Sequence, residues 1–164
     1  MNREACLLPA GGDRPLTRGE ADLVREVFGQ AVDPAPVRLR RRRWFPFQPR
    51  GTVMAPCGHV HFHPQGPHYS DDFAAEGPAL RGLFVHEMVH VWQAQTRGRL
   101  WLPLMRHPFC RYDYTVKPGW PLVRYGIEQQ AEIVRHWYLA ISGTPARGAP
   151  PLEALQTVVP FTNS

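Results

Sequence analysis

The sequence predicts an α+β fold: a short β-sheet packed on a long histidine-bearing helix and on a second helix that carries two glutamates. Three observations predict it. Between residues 37 and 64 the chain breaks into short, partly alternating segments bounded by proline and glycine, as strands do. Residues 78–97 include FVHEMVHVWQ at 84–93 and are apolar nearly all round there, as a buried helix would be. A second helical pattern covers about residues 124–141. With 164 residues and 43% hydrophobic content, the chain suits one ordinary core and is too short for two comfortable ones. We read a single domain over residues 1–142, followed by a Pro/Gly-rich tail over residues 143–164.

The elements follow in order. The opening MNREACLLPAGGDRPL holds only a brief apolar patch broken by Pro9 and two glycines, unlike the continuous apolar region of a secretory signal. No run approaches membrane-spanning length. Cys6, Cys57 and Cys110 are sparse and odd in number, which suits reduced thiols better than a disulfide framework. Cytoplasmic synthesis is the expectation; export by a dedicated machine that needs no signal peptide would leave no mark. Thr17 is placed to cap a helix over RGEADLVREVFG, with Leu23, Val24, Val27 and Phe28 on its apolar side and Gly29 as its stop. Strands are expected in VRLRRRRWF, GTVMAP and HVHFHP, the last two joined as a hairpin through Cys57 and Gly58. The loop QGPHYSDDFAAEGP leads into the 78–97 helix, and a proline-spotted connection from Leu102 to Pro121 leads into the second helix. In the tail, LEALQTVV is the one apolar piece able to pack back on the domain.

The formal charge of +5 comes almost wholly from arginine, Lys117 being the single lysine. Its densest point, VRLRRRRW at 37–44, reads as a solvated edge strand, since arginine-rich edges block unwanted pairing. A nucleic-acid patch is the competing reading, disfavoured because the run lacks interleaved aromatic residues for stacking.

His86 and His90 are four apart on the predicted helix, so both imidazoles project from one face and can reach a single Zn²⁺. Glu87, about 100° around the helix, is badly placed as a ligand and well placed to take a proton from water at the site. With eight histidines among 164 residues, and as many glutamates, random placement yields this pattern in roughly 2% of such chains, so composition alone does not explain it. A core hydrogen-bond network is the alternative way to satisfy these groups in a buried helix. Two histidines cannot close a zinc site. In YGIEQQAEIVRHW, Glu128 and Glu132 stand four apart, a like-charge spacing that is mildly destabilising without a nearby cation. We assign Glu128 as third ligand and Glu132 as the carboxylate that accepts the far N–H of one ligating histidine and so sets its tautomer.

HEMVH followed by EQQAE resembles the gluzincin class of zinc metallopeptidases, in which the first motif supplies two ligands and the base and a later helix supplies a glutamate. Many members carry an acidic residue, commonly Asp, four places further on; this chain has Glu132 there. The stretch from about Pro15 to Ala140, including WFPFQPRG, HEMVHVWQAQ, RHPFCRYDY and YGIEQQAEIVRH, looks like small bacterial proteins labelled Vgr-related, a name that points to secretion-system neighbourhoods. The resemblance implies a zincin-like fold and peptide hydrolysis. It also implies that a sheet strand beside the cleft binds an extended peptide or protein substrate, and HVHFH is the candidate strand. His59, His61 and His63 alternate on that strand and form, in a competing reading, a second metal site with Cys57. The oxyanion of peptide hydrolysis needs a donor besides the metal. Among Tyr112, Tyr114 and Tyr125, the expectation falls on Tyr125, one turn before Glu128, with Tyr114 next. His107 and His136 show no partner pattern. Two further readings stand beside the hydrolase: a non-catalytic zinc-bearing scaffold module of a secretion machine, and a nucleic-acid-associated protease recruited through RLRRRRW. No membrane partner is expected.

Overall fold

In the computed structural model, which describes residues 8–161, Thr17 ends an extended segment and starts helix α1 (Arg18–Phe28). Its hydroxyl accepts from the Glu20 N–H at 3.0 Å and the Glu20 carboxylate accepts from the Thr17 N–H at 2.8 Å, a reciprocal capping box. Leu23, Val24, Val27 and Phe28 are buried as the periodicity requires, and Gly29 ends the helix at φ +55°. Glu20 does more than cap. Fully buried, it also takes two 2.8 Å hydrogen bonds from the Arg14 guanidinium and one of 2.9 Å from the Phe73 N–H. Arg14 lies in strand β1 (Asp13–Pro15), and Phe73 opens a 3₁₀ turn over Phe73–Ala75. One carboxylate therefore ties the first strand and the first helix to the loop that leads into the long helix. Neither β1 nor this role is legible in the sequence, because DRP carries no strand pattern.

The sheet is completed by β2 (Arg38–Arg40), β3 (Val53–Met54) and β4 (Val60–Phe62) in the order β1-β2-β4-β3. β2 runs antiparallel to β1 and parallel to β4, and β3 pairs antiparallel with β4 through Val53–Phe62 and Met54–His61. The hairpin turn contains Gly58 at φ +83°.

Two strand expectations are corrected here. The arginine run is not an edge: only Arg38–Arg40 is strand, and β1 covers it. Asp13 of β1 pairs with Arg38 and Arg40. Arg41 donates to the Leu8 carbonyl and lies over the Tyr69 ring, and Arg43 donates to His63. Likewise HVHFH cannot offer a free edge to a substrate, because β2 and β3 use both sides of β4 and its three residues are all buried. β3 is the outer strand. The second metal site of the competing reading does not assemble either: His59 accepts from the Arg38 N–H, His61 packs against Trp44 with ring centroids 5.4 Å apart, and His63 accepts from Arg43.

The long helix α2 (Pro78–Arg97) starts with Pro78, whose missing N–H costs nothing there, and stops at Gly98, φ +101°. A short helix α3 (Trp101–Met105) interrupts the connection expected to be irregular. Helix α4 (Ile127–Ile141) begins three residues later than expected because Leu122–Arg124 forms a 3₁₀ turn first. α4 packs across α2 at Gly82, where a Cβ would stand 3.3 Å from Leu139, so a larger residue would push the helices apart. Phe62, Phe73 and Phe84 stack at 5.4 Å intervals from sheet to turn to α2. Helix α5 (Leu152–Gln156) lies against α4, with Leu155, Val158 and Val159 buried, and Phe161 meets Phe28 and Trp92. Among the described residues, no helix is long and apolar enough to cross a membrane.

Glu20→Ala strands the Arg14 charge and several N–H groups, and is expected to lower the unfolding free energy by about 3–5 kcal/mol. Urea titration measures this. A loss below about 1 kcal/mol, the range of a surface pair, would show that Glu20 does not hold these elements together.

Candidate metal centre

Helix α2 projects His86, Glu87 and His90 from its buried centre, and the first turn of α4 brings Glu128 against them. The imidazole rings lie 5.1 Å apart. Nε2 of His86 is 3.3 Å and Nε2 of His90 is 3.2 Å from the same oxygen, Glu128 Oε2. Among the described residues, His86, His90 and Glu128 are the one group of His, Cys, Asp or Glu whose ligand atoms converge, all within 4.8 Å of one another.

The far side of each ring fixes its proton. His86 Nδ1 is 2.8 Å from Glu132 Oε1, and His90 Nδ1 is 2.9 Å from Gln93 Oε1. The Gln93 amide is oriented independently, because its nitrogen donates to the Ile127 carbonyl at 3.1 Å, which can only accept. The same nitrogen donates to Gln130 Oε1, and Gln130 donates to the Tyr125 carbonyl. Each Nδ1 therefore carries the N–H. In the neutral rings, both Nε2 lone pairs face a carboxylate oxygen, a repulsive arrangement that a proton or a cation between them reverses. Glu87 Oε2 is buried without a partner, and Glu128 Oε1 has only the Arg106 guanidinium, at 3.1 Å. Three oriented donors and an orphaned carboxylate oxygen fit a zinc ion, whose usual ligands are neutral imidazole nitrogen and carboxylate oxygen.

A cleft of about 380 Å³ opens over this centre. Its lining includes Gly51, Thr52 and Val53, at and just before the edge strand β3, together with Arg106, Tyr112 and Arg135.

No family model matches the chain. The chain is 39% identical over 137 residues to the type VI secretion system spike protein VgrG2b of Pseudomonas aeruginosa, a match covering 79% of this chain. It spans only 13% of that spike protein's length. The solved effector domain of P. aeruginosa VgrG2b superposes with a TM-score of 0.71 at 35% identity, covering 90% of this chain and 82% of that domain. The chain belongs to the family of the VgrG2b effector domain. The match covers most of the chain, so the relationship embraces α2, α4 and the sheet together rather than the HEMVH motif alone.

Within this effector-domain fold, the tyrosines fall differently from expectation. Tyr125 is 6% exposed, its hydroxyl accepts from the Lys117 N–H at 2.9 Å, and it lines a separate cavity with Trp92 and Trp101. It is withdrawn as an oxyanion donor because its hydroxyl is engaged away from the cleft. Tyr114 is withdrawn for a similar reason: its hydroxyl lies 2.7 Å from His136 Nδ1. Tyr112 is the tyrosine that lines the cleft, its ring 6.3 Å from that of His86 and nearly parallel to it. Sequence reasoning also passed over Gln93, Arg106 and His136. Gln93, three residues after His90, had a helical-spacing signal; Arg106 had none, because only the fold of the connection brings it to Glu128.

Without metal, burial pulls the His86 pKa down, but its hydrogen bonds to Glu128 and Glu132 outweigh this and raise it from 6.5 to about 9. Burial raises Glu132, yet the His86 hydrogen bond and charge bring it from 4.5 to about 2, and the two histidines hold Glu128 well below the usual carboxylate range. A raised histidine pKa stabilises the fold below 6.5, and that contribution is lost as pH rises through about 9. The depressed carboxylates stabilise above 4.5, and their contribution is lost as pH falls toward about 2. Chelated protein is therefore expected to lose stability in urea titrations between about pH 6.5 and 9, and His86→Gln to flatten this alkaline limb. An equal slope in both proteins would remove His86 as its source.

Proposed function

We propose that this domain is a gluzincin-type, zinc-dependent peptide hydrolase on a zincin-like fold, with His86, His90 and Glu128 as metal ligands. One observation carries the reading: two imidazole nitrogens whose protons are drawn to their far sides face a single carboxylate oxygen, next to the unpartnered Glu87 Oε2. Bound zinc supplies a Lewis acid that polarises the scissile carbonyl and makes water more acidic. Glu87 accepts the water proton at its free carboxylate oxygen and returns it to the leaving amine nitrogen. Arg106 and Tyr112 face the cleft with a guanidinium and a hydroxyl, the donor types that stabilise a developing oxyanion, and take the place first assigned to Tyr125 and Tyr114. The outer edge of β3 offers unpaired backbone groups to an extended peptide or protein substrate, the role first given to β4.

Kinship with the effector domain of a type VI secretion spike protein supports a secretion-system setting: synthesis in the cytoplasm followed by export as an effector of such a machine. The cleft and the free Glu87 oxygen favour turnover over a scaffold role, since a structural zinc needs neither. Four of the five arginines of RLRRRR engage Asp13, Leu8, Tyr69 and His63, leaving Arg42 exposed, which speaks against recruitment by nucleic acid.

Purified protein is expected to hold about one equivalent of zinc, which His86→Ala or His90→Ala largely abolishes and Glu128→Ala weakens. Glu87→Gln should keep the metal and the melting temperature while lowering turnover of a peptide-library substrate by about 10² to 10⁴-fold. Metal analysis and digestion assays on the same preparations test both statements. Full turnover by Glu87→Gln would overturn the mechanism, and unchanged zinc affinity in Glu128→Ala would overturn the ligand set.

A further inference from the structure

We infer that Tyr114 and His136 are positioning residues for His86, the outer members of a chain of polar contacts, two hydrogen bonds joined by the close-range electrostatic contact of His136 with Glu132, that couples the 106–121 connection to the metal centre. The inference rests on the hydrolase reading for the meaning of the centre, but its geometry stands apart from it. The Tyr114 hydroxyl is 2.7 Å from His136 Nδ1, His136 Nε2 is 3.4 Å from Glu132 Oε2, and Glu132 Oε1 is 2.8 Å from His86 Nδ1. Neither Tyr114 nor His136 lines the cleft, so they act through Glu132.

Counting donors sets the direction of the chain. A half-buried phenol has one O–H to give, and burial keeps it protonated. Donating that O–H to Nδ1 leaves His136 in the tautomer with its proton on Nε2, directed at Glu132. Glu132 Oε1 then accepts from His86, with the Arg135 guanidinium as a further donor at 3.2 Å, while Oε2 has the His136 ring nitrogen 3.4 Å away as its polar neighbour. Without His136, one carboxylate oxygen is free, and the side chain can swing toward the more exposed Arg135 and away from His86. The chain thus holds the carboxylate that fixes the ligand's tautomer and ring angle.

The coupling extends to the cleft wall. The connection that carries Tyr114 also carries Arg106, paired with Glu128, and Tyr112, stacked near His86; Gln129 of α4 donates to the Asp113 carbonyl at 2.7 Å. Seating this connection on α4 and ordering His86 are therefore linked, and the linkage is reciprocal: metal binding tightens the connection as the connection tightens the metal.

The test is a zinc competition titration against a chromophoric chelator, with melting temperatures measured on the same proteins. Tyr114→Phe and His136→Phe are expected to weaken zinc binding by about 3 to 10-fold, less than the roughly 10 to 100-fold of a partner that touches the ligand directly. His136→Gln, whose amide N–H can replace Nε2–H, should recover most of the loss. In a Glu132→Ala background, His136→Phe should cost nothing further, because the route is already cut. Unchanged affinity in both phenylalanine variants, or full additivity with Glu132→Ala, overturns the inference, even if melting temperatures fall. Nitrogen-15 spectra give a metal-free arm: His136 as Nε2–H and His86 as Nδ1–H, with Tyr114→Phe mixing the His136 tautomers, support the chain, and Nδ1–H on His136 overturns it. Wild-type protein that binds no zinc would remove the hydrolase reading, leaving the spectra to decide the chain.

Discussion

Glu128, 1% exposed, accepts the approach of two imidazoles at a single oxygen, and each imidazole has already given its one neutral-ring proton to an acceptor on the opposite side. The resulting convergence of lone pairs and negative charge inside the protein is unfavourable unless positive charge enters it. Protonation of His86 would relieve it, in keeping with its raised pKa, and a bound cation of the kind proposed above would relieve it by taking the same atoms as ligands. Much of the surrounding structure follows from holding this arrangement together. The close approach of α2 and α4 at Gly82, the amide pair Gln93 and Gln130, and the Arg106 guanidinium all keep the charged groups from moving apart.

The scaffold handles its other buried carboxylate in the opposite way. Glu20 is as buried as Glu128, but its oxygens are satisfied by Arg14 and by backbone N–H groups, so it has no use for a cation and serves to join β1, α1 and the turn at Phe73. The two carboxylates differ in completeness of partners rather than in depth of burial. Glu87 Oε2, buried and unpartnered, resembles Glu128 in this respect, which is what the proposed function draws on.

Membership in the VgrG2b effector-domain family places these features in a unit that recurs on a much longer spike protein, of which this chain spans 13%. The cleft is built from four separate stretches of chain: residues 51–53 at an edge of the sheet, the centre of α2, the connection after α3, and α4 through Glu132 and Arg135. Only the α2 stretch carries the HEMVH pattern. The connection has almost no regular structure, yet it supplies Arg106, Tyr112 and Tyr114, each held by a contact to α2 or α4. Such a segment keeps its form through its contacts with the centre rather than through its own backbone hydrogen bonds.

Local rules in the sequence determined the helices and the two histidines. Thr17 and Gly29 at the ends of α1 and the four-residue spacings of His86 with His90 and Glu128 with Glu132 each depend on neighbours within one or two turns, so periodicity and capping chemistry announce them. Strand order was not announced in this way. Whether β4 lies at the edge or in the centre depends on its parallel pairing with the distant β2, and whether the arginine run is an edge depends on β1, three residues with no pattern of their own. The side chains around the metal centre divide similarly. Gln93 stands at a helical distance from His90, whereas Arg106, Tyr112 and His136 gain their meaning only when the connection lies on α4. The three tyrosines are nearly equivalent by position in the chain, and tertiary structure alone separates them. A hydroxyl's function depends on which group is already bonded to it, and that group is supplied here by residues 8 to 22 positions away in the chain.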